Sequence, residues 1–341
     1  MSEKKSRKGF KIKWNKRTAL IIVCAVLAVI LATLISVTAY VEYQTGRIGK
    51  LNNETISSSE VDNILGTAGE DGVNFGGEPQ LVTGEHIINI LLVGQDRRQG
   101  EGRQRSDAMI LCTLNTQTKK LTMTSFLRDM YVQIPGYRNG KINACYQIGG
   151  AKLLNECLKK NFGVEVDYNV EVDFEGFMEL IDLVGGVEIE LTSAEASYLN
   201  KRGNWDVTGN DGWNLKKGKN NLNGSQALAY SRIRAIGLDF ERTERQRKVL
   251  NALLEKSKTL SFTQITKLID KAMPLLATDM ETADMIKYAG ILFDMFSELQ
   301  VNSLRIPADG TYSYADFAGA GDSIVIDFDV NRKLLVDSLT K

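Results

Sequence analysis

The chain has 341 residues, with 42 Lys and Arg against 42 Asp and Glu; the net charge of zero hides an asymmetry, since residues 1–17 sum to +7 and the remainder to −7. A mildly acidic body lacks the basic surface that counterion release requires, which excludes nucleic acid as a general polyanionic partner. A single histidine, His86, and the absence of CxxC and HExxH spacings leave a Ser-His-Asp or Cys-His hydrolase and a structural zinc site without support.

Residues 1–17 form a basic tail with eight Lys or Arg, and residues 18–41 are an uncharged apolar run. At about 1.5 Å per helical residue that run reaches roughly 36 Å, enough to cross a bilayer core of about 30 Å, and it is too long for the apolar stretch of a cleavable signal peptide. Basic flanks remain in the cytoplasm, so the sequence predicts one transmembrane helix, a cytoplasmic N-terminus and an extracellular remainder at the cell membrane. Residues 42–83 are polar and rich in Gly, Ser and Asn, and read as a stalk with one short helix near 59–65. Residues 84–341 then suffice for one large α/β domain or two small ones, and form the main extracellular part. Of the four cysteines, Cys24 lies in the apolar run, and Cys112, Cys145 and Cys157 sit in apolar, patterned segments that predict buried free thiols.

The domain opens with IINILLV at 87–93, an apolar run that suits a strand covered on both faces. Strands follow at 108–114 and 121–126, separated by a polar turn at 115–120. Helical spacing of Ala151, Leu154, Leu158 and Phe162, stopped by Gly163, predicts a helix over 144–161. Next come a strand at 168–172, a helix at 174–183 ended by Gly185-Gly186, and a strand at 187–191. Amphipathic helices are predicted at 225–233, 240–260, 262–276 and 282–298, while residues 306–341 either complete the sheet or cap it. This succession implies an α/β (α+β mixed) fold, a central mixed β-sheet with helices on both faces.

Charged clusters stand at the element boundaries. Asp96-Arg97-Arg98 follows the first strand, Arg105-Ser106-Asp107 precedes the second and Arg128-Asp129 follows the third. If the three strands are antiparallel neighbours, Asp96, Asp107 and Arg128 meet at one sheet edge. A fourth cluster runs from Arg232 and Arg234 through Asp239 to Arg242, Arg245 and Gln246, the last three on one helical face; Arg245 and Arg247 also fit a solvated face. Guanidinium forks bind phosphate oxygens in paired hydrogen bonds, and two acids with several Arg suit a divalent cation holding a pyrophosphate.

The ordered succession NILLVGQDRR, RSDAMILCTLN, SFLRDMYVQIPGYRNGKINACYQIGG, VDFEGFMELIDLVGGVEIEL, LNGSQALAYSRIR and DFERTERQR resembles the LytR-CpsA-Psr family of cell-envelope proteins, from about Asn89 to Leu254. The chain departs from the commonest pattern at Leu127, where many relatives have proline, and at Ala108, where Thr is frequent. The resemblance implies a phosphotransferase that moves an anionic glycopolymer, of the teichoic acid or capsule type, from a polyprenyl pyrophosphate carrier onto peptidoglycan. It further implies that Asp96 and Asp107 belong to a magnesium (or manganese) and catalytic site together with Arg128. Arg98, Arg128, Arg232, Arg234, Arg242 and Gln246 would grip the pyrophosphate, with Arg105 and Asp239 in close support. The lipid tail would enter an apolar cavity beside the sheet, for which Val170, Phe174, Phe177, Leu180, Ile181, Val184 and Val187 are candidate liners. The proton of the attacking sugar hydroxyl would pass to Asp96, Asp107 or a metal-bound water. Hydrolysis of the same pyrophosphate and a non-catalytic envelope sensor or transcriptional attenuator are the alternative functions.

Overall fold

In the computed structural model the described residues are 43, 46–66, 72–95, 102–201, 212–237, 239–258, 271–295 and 298–340. The basic tail, the apolar run 18–41, Asp96, Arg98 and most of the helix expected at 262–276 lie outside them. Among the described residues no helix is long and apolar enough to cross a membrane. One compact unit spans Arg47–Lys341.

The elements of this unit, in order, begin with α1 (Ser58–Leu65), β1 (Ile87–Gln95), β2 (Ser106–Asn115) and β3 (Lys120–Phe126). The short strands β4 (Tyr131–Val132) and β5 (Gly140–Lys141) lead into α2 (Ile142–Phe162). There follow β6 (Tyr168–Asp173), α3 (Phe174–Leu183), β7 (Val187–Leu191), α4 (Ser193–Asn200), β8 (Gly218–Leu222), α5 (Gly224–Ser231) and α6 (Asp239–Lys258). The chain ends with β9 (Ala277–Thr278), α7 (Thr282–Met295), β10 (Gln300–Ile306), the hairpin β11 (Tyr312–Phe317) and β12 (Gly321–Ile326), and α8 (Phe328–Thr340).

Six strands form one mixed sheet in the order β10-β3-β2-β1-β6-β9. β2 runs antiparallel to both β1 and β3, whereas β1–β6 and β10–β3 are parallel. The β2–β3 turn forms because the Asn115 carboxamide oxygen accepts from the backbone of Gln117 and Thr118 at 3.1 and 3.0 Å, closing the chain locally. Alternation along β1 and β2 divides the sheet into two faces. Leu91, Val93, Met109 and Leu111 point into the larger core with Ile148, Leu154 and Leu158 of α2 and Leu335 and Leu339 of α8. Ile88 and Leu114 point the other way, onto Met295, Tyr288 and Leu292 of α7. A separate core joins α3, α4, α5, β7, β8 and α6 through Ile181, Val187, Leu199, Leu222, Tyr230 and Val249.

Several expectations are revised. The stretch expected to be a stalk is, over its described residues, laid along the domain: Val61, Leu65 and Val82 are buried in the larger core, and the Ile56 N–H donates to the Ile148 carbonyl at 3.1 Å. Its helix is set by a Ser57–Glu60 capping box. Strand 187–191 forms as expected but pairs with β8 in a two-stranded ribbon outside the central sheet. The helix after it, α4, was not expected; it starts at a Thr192–Glu195 capping box. Residues 300–306, just ahead of the segment left open, add an edge strand to the sheet; within 306–341 the β11–β12 hairpin forms its own sheet and α8 covers one face, so that segment caps the sheet. Cys145 and Cys157 are buried free thiols, as expected; Cys112 is free and half-buried.

Candidate active site

Antiparallel pairing of β1, β2 and β3 brings the end of β1, the start of β2 and the residues after β3 to one sheet edge, as the charged clusters required. There an Arg128 Nη1–H donates to Asp107 Oδ1. Arg128 Nε lies 3.5 Å from Asp129 Oδ2, and Lys141 Nζ lies 3.4 Å from Asp129 Oδ1. The guanidinium is therefore fixed between two carboxylates while both it and Asp107 keep about a fifth of their side-chain surface exposed, 20% and 22%.

The second half of the site comes from the loop between α5 and α6. Helix α5 is started by an Asn223–Gln226 capping box and ends at Ser231, which delivers Arg232 and Arg234 to the edge. Arg232 lies with its guanidinium 4.4 Å above the Phe174 ring, and Arg234 Nη2 is 3.9 Å from Asp107 Oδ1. The loop is held from behind by Arg245. Its Nε donates to Glu195 Oε1 at 2.8 Å, and its Nη1 and Nη2 donate to the carbonyls of Ile233 and Ile236 at 3.0 and 2.7 Å. Burial works to raise the Glu195 carboxyl, yet the bonds from Arg245 and Thr192 outweigh it and hold the group below the usual glutamate range.

Behind this edge lies a cavity of about 680 Å³. Asp107, Arg128, Arg232, Arg234, Arg242 and Gln246 all contribute to its lining, and its interior is apolar. Arg242 is almost fully buried and Gln246 half-buried, one turn apart on α6. Val170, Phe174, Phe177, Leu180 and Ile181 line the interior as expected, whereas Val184 and Val187 are packed into the α3–α6 core instead. Leu228, Leu250 and Leu253 also line it and were missed. Gln246, Leu250 and Leu253, at i, i+4 and i+7, carried the signal that could have found two of them.

The remaining expected residues are placed differently. Asp96 and Arg98 lie outside the described residues, as does the side chain of Asp239, the first residue of α6. Arg105 is exposed, is not among the residues lining the cavity, and its Nε donates to Gln147 Oε1 at 3.3 Å. Arg245 and Arg247 are not a solvated face. Both are buried, the first on Glu195 and the second with Nη1 donating to Ser125 Oγ at 2.7 Å. Arg103, unremarked in the sequence, donates to the carbonyls of Asn52, Glu54, Gln147 and Ile148 and so ties the N-terminal segment to α2.

An apolar cavity rimmed by guanidinium groups suits a ligand with a hydrocarbon tail and an anionic phosphate head. For a metal, no group of three His, Cys, Asp or Glu occurs among the described residues. Mg²⁺ needs less than that, since it is held by one or two carboxylates plus substrate phosphates, and Asp107 supplies one hard oxygen donor at the rim. The donor chemistry thus fits Mg²⁺ bound jointly with a diphosphate.

Comparison with known proteins identifies the family. Residues 52–324 match the LytR_cpsA_psr family. The regulatory protein MsrR of Staphylococcus aureus (strain Mu50) is 33% identical over 258 residues, covering 74% of each chain. The polyisoprenyl-teichoic acid–peptidoglycan teichoic acid transferase TagT of Bacillus subtilis (strain 168) is 32% identical over 264 residues, 76% of this chain and 75% of that one. The solved structure of the LytR-CPS2A-psr family protein YwtF (TagT) with bound octaprenyl pyrophosphate lipid superimposes with a TM-score of 0.57 at 26% identity, covering 80% of this chain and 98% of that chain.

Proposed function

The chain belongs to the LytR_cpsA_psr family, and from that premise we propose that it transfers an anionic glycopolymer, of the teichoic acid or capsule type, from a polyprenyl pyrophosphate carrier to peptidoglycan. One observation carries the reading: Arg128, Arg232, Arg234 and Arg242 line the same cavity of about 680 Å³ as Phe174, Phe177, Leu180 and Leu253. A polyprenyl pyrophosphate has the matching shape, an apolar chain ending in a diphosphate. The transferase name of TagT and the lipid bound in YwtF (TagT) support the same donor class.

The chain's own residues divide the work. Phe174, Phe177, Leu180 and Leu253 receive the prenyl chain and exclude water. The arginines and Gln246 grip the diphosphate and offset the negative charge that grows as the phosphoryl bond breaks. A sugar hydroxyl of the wall glycan attacks the phosphorus that carries the polymer. The bond to the bridging oxygen breaks, polyprenyl phosphate leaves with that oxygen, and the hydroxyl proton passes to the carboxylate of Asp107 or Asp96. Mg²⁺, or Mn²⁺ in its place, would be held by the same two carboxylates and would supply charge neutralisation at the diphosphate. The apolar run 18–41 would anchor the chain in the cell membrane with the basic tail inside and this domain outside, next to the wall.

The test is an assay of the full chain with a radiolabelled lipid-linked polymer and wall fragments. Label on the wall is the expected result, and Asp107→Ala is expected to abolish it while lipid binding remains. Label released only as free polymer would make the protein a pyrophosphate hydrolase. The name of MsrR, a regulatory protein, favours a second reading, a non-catalytic regulator. In that case the envelope phenotype would survive Asp107→Ala.

A further inference from the structure

Strand β2 breaks its alternation at one place. Ala108 and Ile110 line the cavity, whereas Met109 and Leu111 point into the larger core beside α2. Continued by one residue towards the start of the strand, that alternation would aim Asp107 at α2 as well. Asp107 lines the cavity instead. The register explains how. Gly94 pairs with Ala108 and Gln95 with Ser106, so Asp107 is the extra residue of a β-bulge, with no register partner on β1. A bulge re-aims a side chain, and here it turns the Asp107 carboxylate to the side where Arg128 meets it.

The groups that hold the bulge lie on the opposite face of the sheet. Gln95 follows Val93 on the α2 face of β1 and is buried with Tyr146 of α2 and Glu171 of β6. Gln95 Oε1 accepts from the Gln104 N–H at 3.0 Å, and Gln95 Nε2 donates to Glu171 Oε1. The Tyr146 hydroxyl donates to the other oxygen, Glu171 Oε2. One carboxamide therefore joins the end of β1 to the residues that lead into β2, and Glu171 joins it in turn to α2 and β6. The neighbours of Gln104 are tied to the same turn of α2: Arg103 donates to the carbonyls of Gln147 and Ile148, and Arg105 to Gln147 Oε1. A buried carboxylate is costly to desolvate unless hydrogen bonds fill its oxygens, so this chain of groups tolerates little displacement of Gln95.

We propose that Gln95, Glu171 and Tyr146 are positioning residues for the transfer reaction, acting from behind the sheet, through the bulge, to keep the Asp107 carboxylate in the cavity. None of the three is among the residues lining it. What Asp107 does there rests on the proposed transferase reading; which way it points does not.

The experiment follows turnover of the radiolabelled lipid-linked polymer by the full chain, with octaprenyl pyrophosphate titrations and melting curves for each variant. Gln95→Met keeps the length of the side chain and removes both ends of its bridge. Its kcat is expected to fall at least about ten-fold, since misplacing a reacting group by about 1 Å can cost about 100-fold. KM for the donor and affinity for octaprenyl pyrophosphate are expected to stay within about two-fold, the split that marks an effect on the reacting step alone. Glu171→Leu is expected to behave alike. Glu171→Gln still accepts from Gln95 and can donate to a turned Tyr146 hydroxyl, so it is expected to restore most of what Glu171→Leu loses. Should the first two variants fail to fold, Tyr146→Phe, which removes one hydroxyl, carries the test with a loss of kcat at unchanged KM. Unchanged kcat in the folded variants would overturn the role, and so would parallel losses of kcat and lipid affinity, the mark of a general structural defect. A crystal structure of Gln95→Met reads the aim directly: Asp107 is expected to leave the cavity side, and an Asp107 still in place would overturn the proposal. A wild type that turns over no donor would instead remove the transferase reading, with the crystal structure still deciding the bulge.

Discussion

Arg232 and Arg234 reach the cavity mouth from one loop, and charge-assisted bonds of this kind contribute about 1.5–3 kcal/mol each. Arg234 is half exposed and worth less than Arg232. Replacing both by alanine is expected to weaken octaprenyl pyrophosphate binding roughly 30- to 100-fold in a titration. Lysine at both positions is expected to recover only part of it, because an ammonium cannot fork two oxygens. Arg245 acts behind them, and its pairing with Glu195 has a pH signature. The folded Glu195 carboxyl is held below its usual range, so the unfolded chain binds the proton first as the pH falls. The stabilisation is complete above the ordinary value, about 4.3, and is lost as the pH drops through the folded value. Melting temperatures of the wild type are expected to fall more steeply than those of Glu195→Gln from about pH 5 downward. Which arginines would be functional was only partly legible in the sequence. Arg128, Arg232 and Arg234 stand at element ends, where a pattern reading finds them. The burial of Arg245 and Arg247 depends on Glu195 and Ser125, residues 50 and 122 positions away, and no local pattern reports that.

Helix α2 contains a break with its own purpose. Gly149 (φ −132°, ψ 17°) and Gly150 (φ 66°, ψ −155°) interrupt the helical backbone. A Cβ at Gly150 would sit 2.5 Å from the Asn52 carbonyl oxygen. The kink thus makes room for the N-terminal segment, which Arg103 then clamps in place. Only glycine is at ease in that backbone region, and the strain there is about 1–3 kcal/mol, so Gly150→Ala is expected to lower the melting temperature and speed proteolysis of residues 47–56. The elements set by local periodicity, β1 to β3 and α3, were legible because their apolar spacing is unambiguous. The docking of residues 47–66 was not, since a Gly- and Asn-rich composition describes a free linker and a segment held by backbone hydrogen bonds equally well. Pairing of β7 was missed for a related reason, because its partner β8 lies 31 residues on from Val187 at Gly218.

The described residues build two principal cores, one under the sheet with α2 and α8 and one within α3 to α6, and the cavity occupies the seam between the second core and the sheet. Leu180→Trp, which fills part of it, is expected to reduce octaprenyl pyrophosphate affinity more than ten-fold while sparing a short-chain prenyl pyrophosphate that needs only the mouth; parallel titrations of the two lipids check this. At this scale the mixed sheet with flanking helices was legible, but the cavity's extent was not, because lining and packing residues are chemically alike. The seam also bears on stability. On the proposed reading, a prenyl chain there becomes the mortar between the α3–α6 lobe and the sheet. On the proposed transferase reading, binding of the lipid donor would shift the folding equilibrium by mass action, and the expected outcome is a higher melting temperature with the lipid bound.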